Sequence, residues 1–135
     1  MNIINYYDSD YEGLKILMQE TKIFNPEIDT RQKLKKKIIY DKESIIIVKE
    51  NDKIIGCVFF IYDPWNSFVY RLGVDKNYRN KGIGGMLMSV VEKRIKMRGM
   101  TKPTLFVEEN NKVLNFYSKR GWKVVCKAFC MEKNI

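Results

Sequence analysis

The chain contains no histidine, and only three of its 135 residues are cysteine. Cys57, Cys126 and Cys130 form an odd set without a C-x-x-C pair, so neither a structural zinc site nor any other metal site is expected. The lack of histidine also removes the usual base of serine and cysteine hydrolases, which excludes triad and papain-like chemistry. Buried, reduced thiols are the expected fate of all three cysteines. No apolar run approaches the roughly 20 residues that cross a bilayer, so no membrane partner is expected. The opening M-N-I-I-N-Y-Y-D lacks a basic segment followed by an apolar block; a cytoplasmic protein is the expectation. No linker, repeat or low-complexity stretch divides the chain, which reads as a single domain over residues 1–135.

What is abundant is positive charge. Twenty-five Lys and Arg against 16 Asp and Glu leave a formal charge of +9, which implies affinity for anions: nucleic acid, an acidic surface or a polyphosphate. The densest run, Lys33 to Lys37, fits the solvated face of a helix. It is not accompanied by an aromatic-studded basic strand, so nucleic acid is not the expected partner.

Periodicity orders the elements. Ile3–Tyr7 reads as a strand, followed by a helix capped near Asp8 or Ser9 with Tyr11, Leu14, Leu17 and Met18 on one face. A second helix is predicted from Asp29 or Thr30 to about Tyr40. Ser44–Lys49 and Ile54–Ile61 are rich in β-branched and aromatic residues around Asn51-Asp52, the pattern of an antiparallel hairpin. Phe68–Val74 is a further strand in which Gly73 predicts a bulge or a close backbone approach. A helix follows from Gly82 to about Arg98, then a short strand at Thr104–Val107 and a helix from Asn110 to Arg120. Trp122–Lys127 and Ala128–Glu132 are predicted to pair as terminal strands. The order is β-α-α-β-β-β-α-β-α-β-β.

The chemistry is concentrated at two places. Tyr78–Gly85 reads Y-R-N-K-G-I-G-G between a strand and a helix. Glycines there let backbone N–H groups face an anion, the helix adds its positive end, and Arg79 and Lys81 add charge. The nucleotide-hydrolase loop needs Lys-Ser/Thr after its second glycine, and the dinucleotide fingerprint needs a small residue where Leu87 stands; neither fits. What remains, R-x-x-G-x-G, resembles the acetyl-CoA loop of the GNAT N-acetyltransferase superfamily. A second stretch, N-N-K-V-L-N-F-Y-S-K-R-G-W from Asn110 to Trp122, resembles the other GNAT signature, with Val113 where the family has alanine. The element order also matches that family. Tyr62–Val74 (Y-D-x-x-x-x-x-x-Y-x-L-G-V) and the N-P-E-x-D stretch at Asn25–Asp29 are similar to small bacterial members near the ribosomal-protein alanine acetyltransferase branch.

The resemblance implies an α/β (α+β) GNAT fold: a mixed sheet of six to seven strands, splayed between the fourth and fifth, with about four flanking helices. It implies acetyl-CoA as cosubstrate. The backbone of Leu72 and Val74 would hold the pantetheine arm and acetyl carbonyl, and Arg79, Asn80, Lys81, Gly82, Ile83, Gly84 and Gly85 the diphosphate. Asn110 would stand near the pantetheine, and Tyr117 would be the acid that protonates the departing thiolate, a proton transfer that suits a phenol. Many relatives carry a glutamate base on the fourth strand; here Tyr70 and Arg71 stand instead, and no base is assigned. The expected partners are acetyl-CoA and an amine acceptor, with direct transfer in a ternary complex and a homodimer through the terminal strands as an option. The competing reading is a basic RNA- or ribosome-binding module that keeps the scaffold without catalysis.

Overall fold

A computed structural model describes residues 1–135. Five strands and four helices alternate as β1 (Asn2–Asn5), α1 (Tyr11–Glu20), α2 (Arg31–Tyr40), β2 (Ile45–Glu50), β3 (Lys53–Tyr62), β4 (Ser67–Val74), α3 (Ile83–Met97), β5 (Thr104–Leu105) and α4 (Asn111–Ser118). The sheet order is β1-β2-β3-β4-β5, antiparallel except for the parallel β4–β5 pair.

The sheet is covered on both sides, which explains why β2 reads I-I-I-V with every one of those residues buried. Ile45 and Ile47 join Leu14, Leu17 and Met18 of α1 and Leu34 of α2 in one core, whereas Ile46 and Val48 face Leu87, Met88, Val91 and Ile95 of α3 in the other. On β3 this alternation changes phase: Ile54 shares a core with Cys57 and Phe59, Ile55 with Val58 and Phe60. The cause is a register shift in which Val48 pairs with Gly56 and Lys49 with Ile54, leaving Ile55 as an extra residue. α3 lies so close to Gly56 that a Cβ there would stand 3.1 Å from the Leu87 side chain.

Local chemistry sets the element ends. Asn51 and Asp52 both have positive φ (49° and 65°), the conformation of a tight hairpin turn. The Thr30 side chain caps α2 by accepting from the Lys33 amide. Leu34 is buried and Lys33, Lys35 and Lys36 are exposed, as the solvated-face reading requires, while Lys37 turns inward and donates to the Phe60 carbonyl at 2.7 Å.

Two expectations are corrected. The sheet has five strands instead of six to seven, because residues 122–135 form no strand. β5 offers a ladder of only two residues, and the side chains after Trp122 stay in solvent, Val125 at 90% and Phe129 at 97% exposure. Cys126 and Cys130 lie on that segment and are exposed; only Cys57 is buried.

Candidate active site

β5 pairs with β4 at Phe68↔Thr104 and Val69↔Leu105 and nowhere else. From Tyr70 to Val74 the β5-side edge of β4 is therefore open, which is the splay expected of this sheet. The Asp75 amide donates to the Ile55 carbonyl on β3 at 2.8 Å. Alternation along an extended strand then turns the N–H groups of Val74 and Leu72 toward the open side.

A bulge sits just before these two amides. Cys57 pairs with Gly73 but Phe59 with Tyr70, so Val58 alone opposes Arg71 and Leu72. Arg71 takes the left-handed conformation, φ 57°. The bulge predicted at Gly73 thus falls on Arg71 and Leu72, and the glycine serves close approach instead: a Cβ on it would lie 3.0 Å from Ile23 Cδ1 and 3.1 Å from Thr21 Oγ1.

The basic loop runs from a 3₁₀ turn at Lys76–Tyr78 into α3. Gly82 is the N-cap, with φ 81° and open space where a Cβ would be, and Asn80 is also left-handed at φ 61°. Two changes of hand within three residues expose backbone amides at the helix start, where an anion is favoured. Arg79 folds back and donates from Nε to the Val74 carbonyl at 3.1 Å, tying the loop to the end of the open edge. The Lys81 ammonium lies over the Tyr78 ring at 5.2 Å. Ile83 is buried as the first helical residue. Gly84 and Gly85 are already helical, and their missing Cβ atoms make room for α4: the Phe116 ring lies 3.2 Å from a Cβ on Gly84, and the Arg120 guanidinium 2.7 Å from one on Gly85.

α4 brings the second motif to the same place. Asn110 is its N-cap, the side-chain oxygen accepting from the Lys112 and Val113 amides at 3.0 and 3.3 Å; its amide nitrogen is left to donate. Tyr117 is half-buried between Phe116 and Trp122, ring centroids 5.0 and 6.3 Å away in edge-to-face contact. Burial raises its phenol above the ordinary value and the nearby Arg120 charge partly opposes that, so the hydroxyl keeps its proton throughout the neutral range.

Two residues were not marked as site residues by sequence reasoning. Asp29, in the turn between α1 and α2, reaches the bulge and pairs with Arg71. Arg120 stacks 3.8 Å over the Phe116 ring, donates to the Phe116 carbonyl and closes on Gly85, joining the two motifs. The N-P-E-x-D stretch flagged the neighbourhood of Asp29, but nothing in it shows a partner 42 residues away. Asp63 acts locally, its carboxylate accepting from the Trp65 amide in the β3–β4 turn. No group of three or more His, Cys, Asp or Glu side chains could hold a metal ion, and no helix is long and apolar enough to cross a membrane.

Residues 8–122 match the model of the acetyltransferase (GNAT) family. An acetyltransferase of Yersinia pestis (strain Pestoides F) is 30% identical over 124 residues, covering 91% of this chain and 88% of the relative. One from Pectobacterium atrosepticum is 29% identical over 126 residues, 93% and 89% of the two chains. Among solved structures, the PaiA N-acetyltransferase from Thermoplasma acidophilum in complex with coenzyme A superposes with a TM-score of 0.80 at 23% identity, over 91% of this chain and 89% of that one. An acetyltransferase of Trypanosoma brucei superposes with a TM-score of 0.78 at 17% identity, over 98% and 99%.

Proposed function

The chain belongs to the GNAT family of acetyltransferases, which are acyltransferase enzymes, and we propose that it moves the acetyl group of acetyl-CoA to a primary amine by direct transfer in a ternary complex. The observation that carries this reading is the open edge of β4 from Tyr70 to Val74, ending where the amide-rich start of α3 meets α4, the helix that carries Tyr117: Phe116 and Val74 both lie against Gly84. Amides fixed in place cost no reorganisation when charge builds on a carbonyl oxygen. A coenzyme A complex in a protein of the same fold supports the choice of donor.

In this reading the Leu72 and Val74 amides bind the pantetheine arm and polarise the acetyl carbonyl, with the Asn110 amide nitrogen beside them. The amides and side chains of residues 79–85 hold the diphosphate. The amine nitrogen attacks the thioester carbon, the C–S bond breaks, the nitrogen loses one proton to solvent, and the sulfur takes one from Tyr117. No side chain on the open edge is a carboxylate: Tyr70 is exposed, Arg71 is paired with Asp29, and the amine is delivered deprotonated by bulk water.

Titration with acetyl-CoA, followed by a panel of amines, polyamines, amino acids and peptide N-termini assayed by thiol release, tests the proposal. Saturation at ~100 times Kd stabilises the fold by about 2.7 kcal/mol. An unmoved melting temperature with acetyl-CoA, together with salt-sensitive RNA binding, would transfer the assignment to a non-catalytic basic module.

A further inference from the structure

The left-handed residue in β4 is an arginine, and a Cβ makes that conformation unfavourable. Arg71 is nevertheless held from both ends. Its Nε donates to Asp29 Oδ1 at 3.3 Å and its Nη2 lies 3.2 Å from Oδ2, while its carbonyl accepts from the buried Cys57 thiol at 3.2 Å. Asp29 is itself fixed: it is 2% exposed, Oδ2 accepts from the Asn25 amide at 2.8 Å, and its carbonyl accepts from the Tyr11 hydroxyl at 2.7 Å. The same turn presses on the next residues of the strand, where Thr21 and Ile23 leave no space for a side chain on Gly73.

Of the non-glycine residues with positive φ only Arg71 lies within a strand, away from any turn or helix end; there a left-handed residue persists only where its surroundings over-determine it, and such residues gather at functional sites. We propose that Asp29 is a positioning residue for the acetyl donor, acting through Arg71. The ion pair holds Arg71 left-handed, the left-handed residue keeps β4 bulged, and the bulge aims the Leu72 and Val74 amides into the cleft. The inference rests on the reading that this edge receives acetyl-CoA. It adds that residues 21–30, between α1 and α2, and the donor edge form one mechanical unit, so a shift of that turn is transmitted to the amides that hold the thioester.

Glycine separates this role from simple charge or packing, because it adopts the left-handed conformation unaided. Asp29→Asn keeps the shape and removes the charge; its acetyl-CoA Kd is expected to rise about 10-fold, and the Asp75 amide, bonded to Ile55, to exchange faster with solvent deuterium. In Asp29→Asn/Arg71→Gly the affinity returns to within about 3-fold of the parent and exchange slows again. Should Asp29→Asn prove too unstable to purify, Arg71→Ala against Arg71→Gly asks the same question, with about 10-fold loss expected for alanine and little for glycine. Parental affinity in Asp29→Asn overturns the proposal, as does a double variant no better than the single one, or equal loss in the alanine and glycine variants. A parent protein that does not bind acetyl-CoA removes the functional reading instead. Exchange at Asp75 then decides the bulge: an unchanged rate in Asp29→Asn overturns the coupling, and a faster rate reversed by Arg71→Gly supports it.

Discussion

The ring of Phe116 occupies the space that a side chain on Gly84 would need: Cζ lies 3.2 Å and Cε2 3.4 Å from an ideal Cβ there. Helix α4 therefore sets its distance from α3 by this contact, and Tyr117 rides on the next residue. Replacing Gly84 with alanine gains about 0.5–1 kcal/mol of helix propensity and loses a similar amount to the clash. Net stability is expected to stay within about 1 kcal/mol of the parent while kcat falls about 10-fold, because α4 is pushed outward. At Gly85 the obstacle is the flexible end of Arg120, so Gly85→Ala should keep its activity. Steady-state kinetics beside thermal melts separates the two.

Gly82 faces open space at φ 81°, so its substitutions test backbone hand and charge without steric conflict. Gly82→Asn and Gly82→Asp share shape and share the cost of a left-handed residue, about 1–2 kcal/mol. Only the aspartate repels a diphosphate. Calorimetric titration with coenzyme A is expected to show the aspartate variant at least about 10-fold weaker than the asparagine one; equal affinities would place the anion elsewhere.

Tyr117→Phe keeps the packing with Phe116 and Trp122 and removes the acid. Turnover is expected to drop by about 10- to 1000-fold at unchanged melting temperature. Burial raises this phenol, with the Arg120 charge partly opposing, so it gives up its proton at higher pH than an ordinary phenol does. In the parent enzyme kcat/KM for the amine should rise with pH as the free amine deprotonates, and any phenol-dependent decline should come at higher pH than an ordinary phenol would give.

Lys37 is held down to about 8 from its ordinary 10.5 by burial, with Asp41 opposing. The unfolded chain therefore binds more protons than the folded one between these two values, and stability rises with pH across that window. The penalty is full below about pH 8 and relieved near pH 10.5, a change of at most about 3 kcal/mol. Denaturant titrations from pH 7 to 10.5 measure it. Lys37→Met is expected to flatten the rise, and a parental pH slope in that variant would show that Lys37 is not its source.

Thiol reagents should distinguish the cysteines. Cys57 is fully buried and burial pushes its thiol up to about 12, whereas Cys126 and Cys130 are exposed. The thiolate is the reactive species, so the folded protein should react rapidly at two thiols and at the third only after denaturation. Those two also set the background in any assay that reads released coenzyme A; Cys126→Ser/Cys130→Ser removes it.

Local physics made much of this protein legible in its sequence. The apolar periodicity of Tyr11, Leu14, Leu17 and Met18 and of Ile83, Leu87, Val90, Val91 and Ile95 reports burial on one helix face, and all of these residues are buried except Val90, which is half-buried. Asn51-Asp52 and Gly82 specify backbone hand, and both motifs lie where a strand-to-helix junction and a helix start were expected. These features involve residues within a turn or two of each other, so neighbours along the chain suffice to determine them. The tertiary structure alone decided the rest. That the left-handed residue is Arg71 and not Gly73 depends on Asp29, far away in the chain. That Gly84 and Gly85 are small for the sake of Phe116 and Arg120 depends on how two helices meet, and the apolar residues after Trp122, read as strands, pair with no strand of the sheet and stay exposed. A strand, a bulge and a helix contact each need a partner across space, and the partner is chosen by the packing of the whole chain.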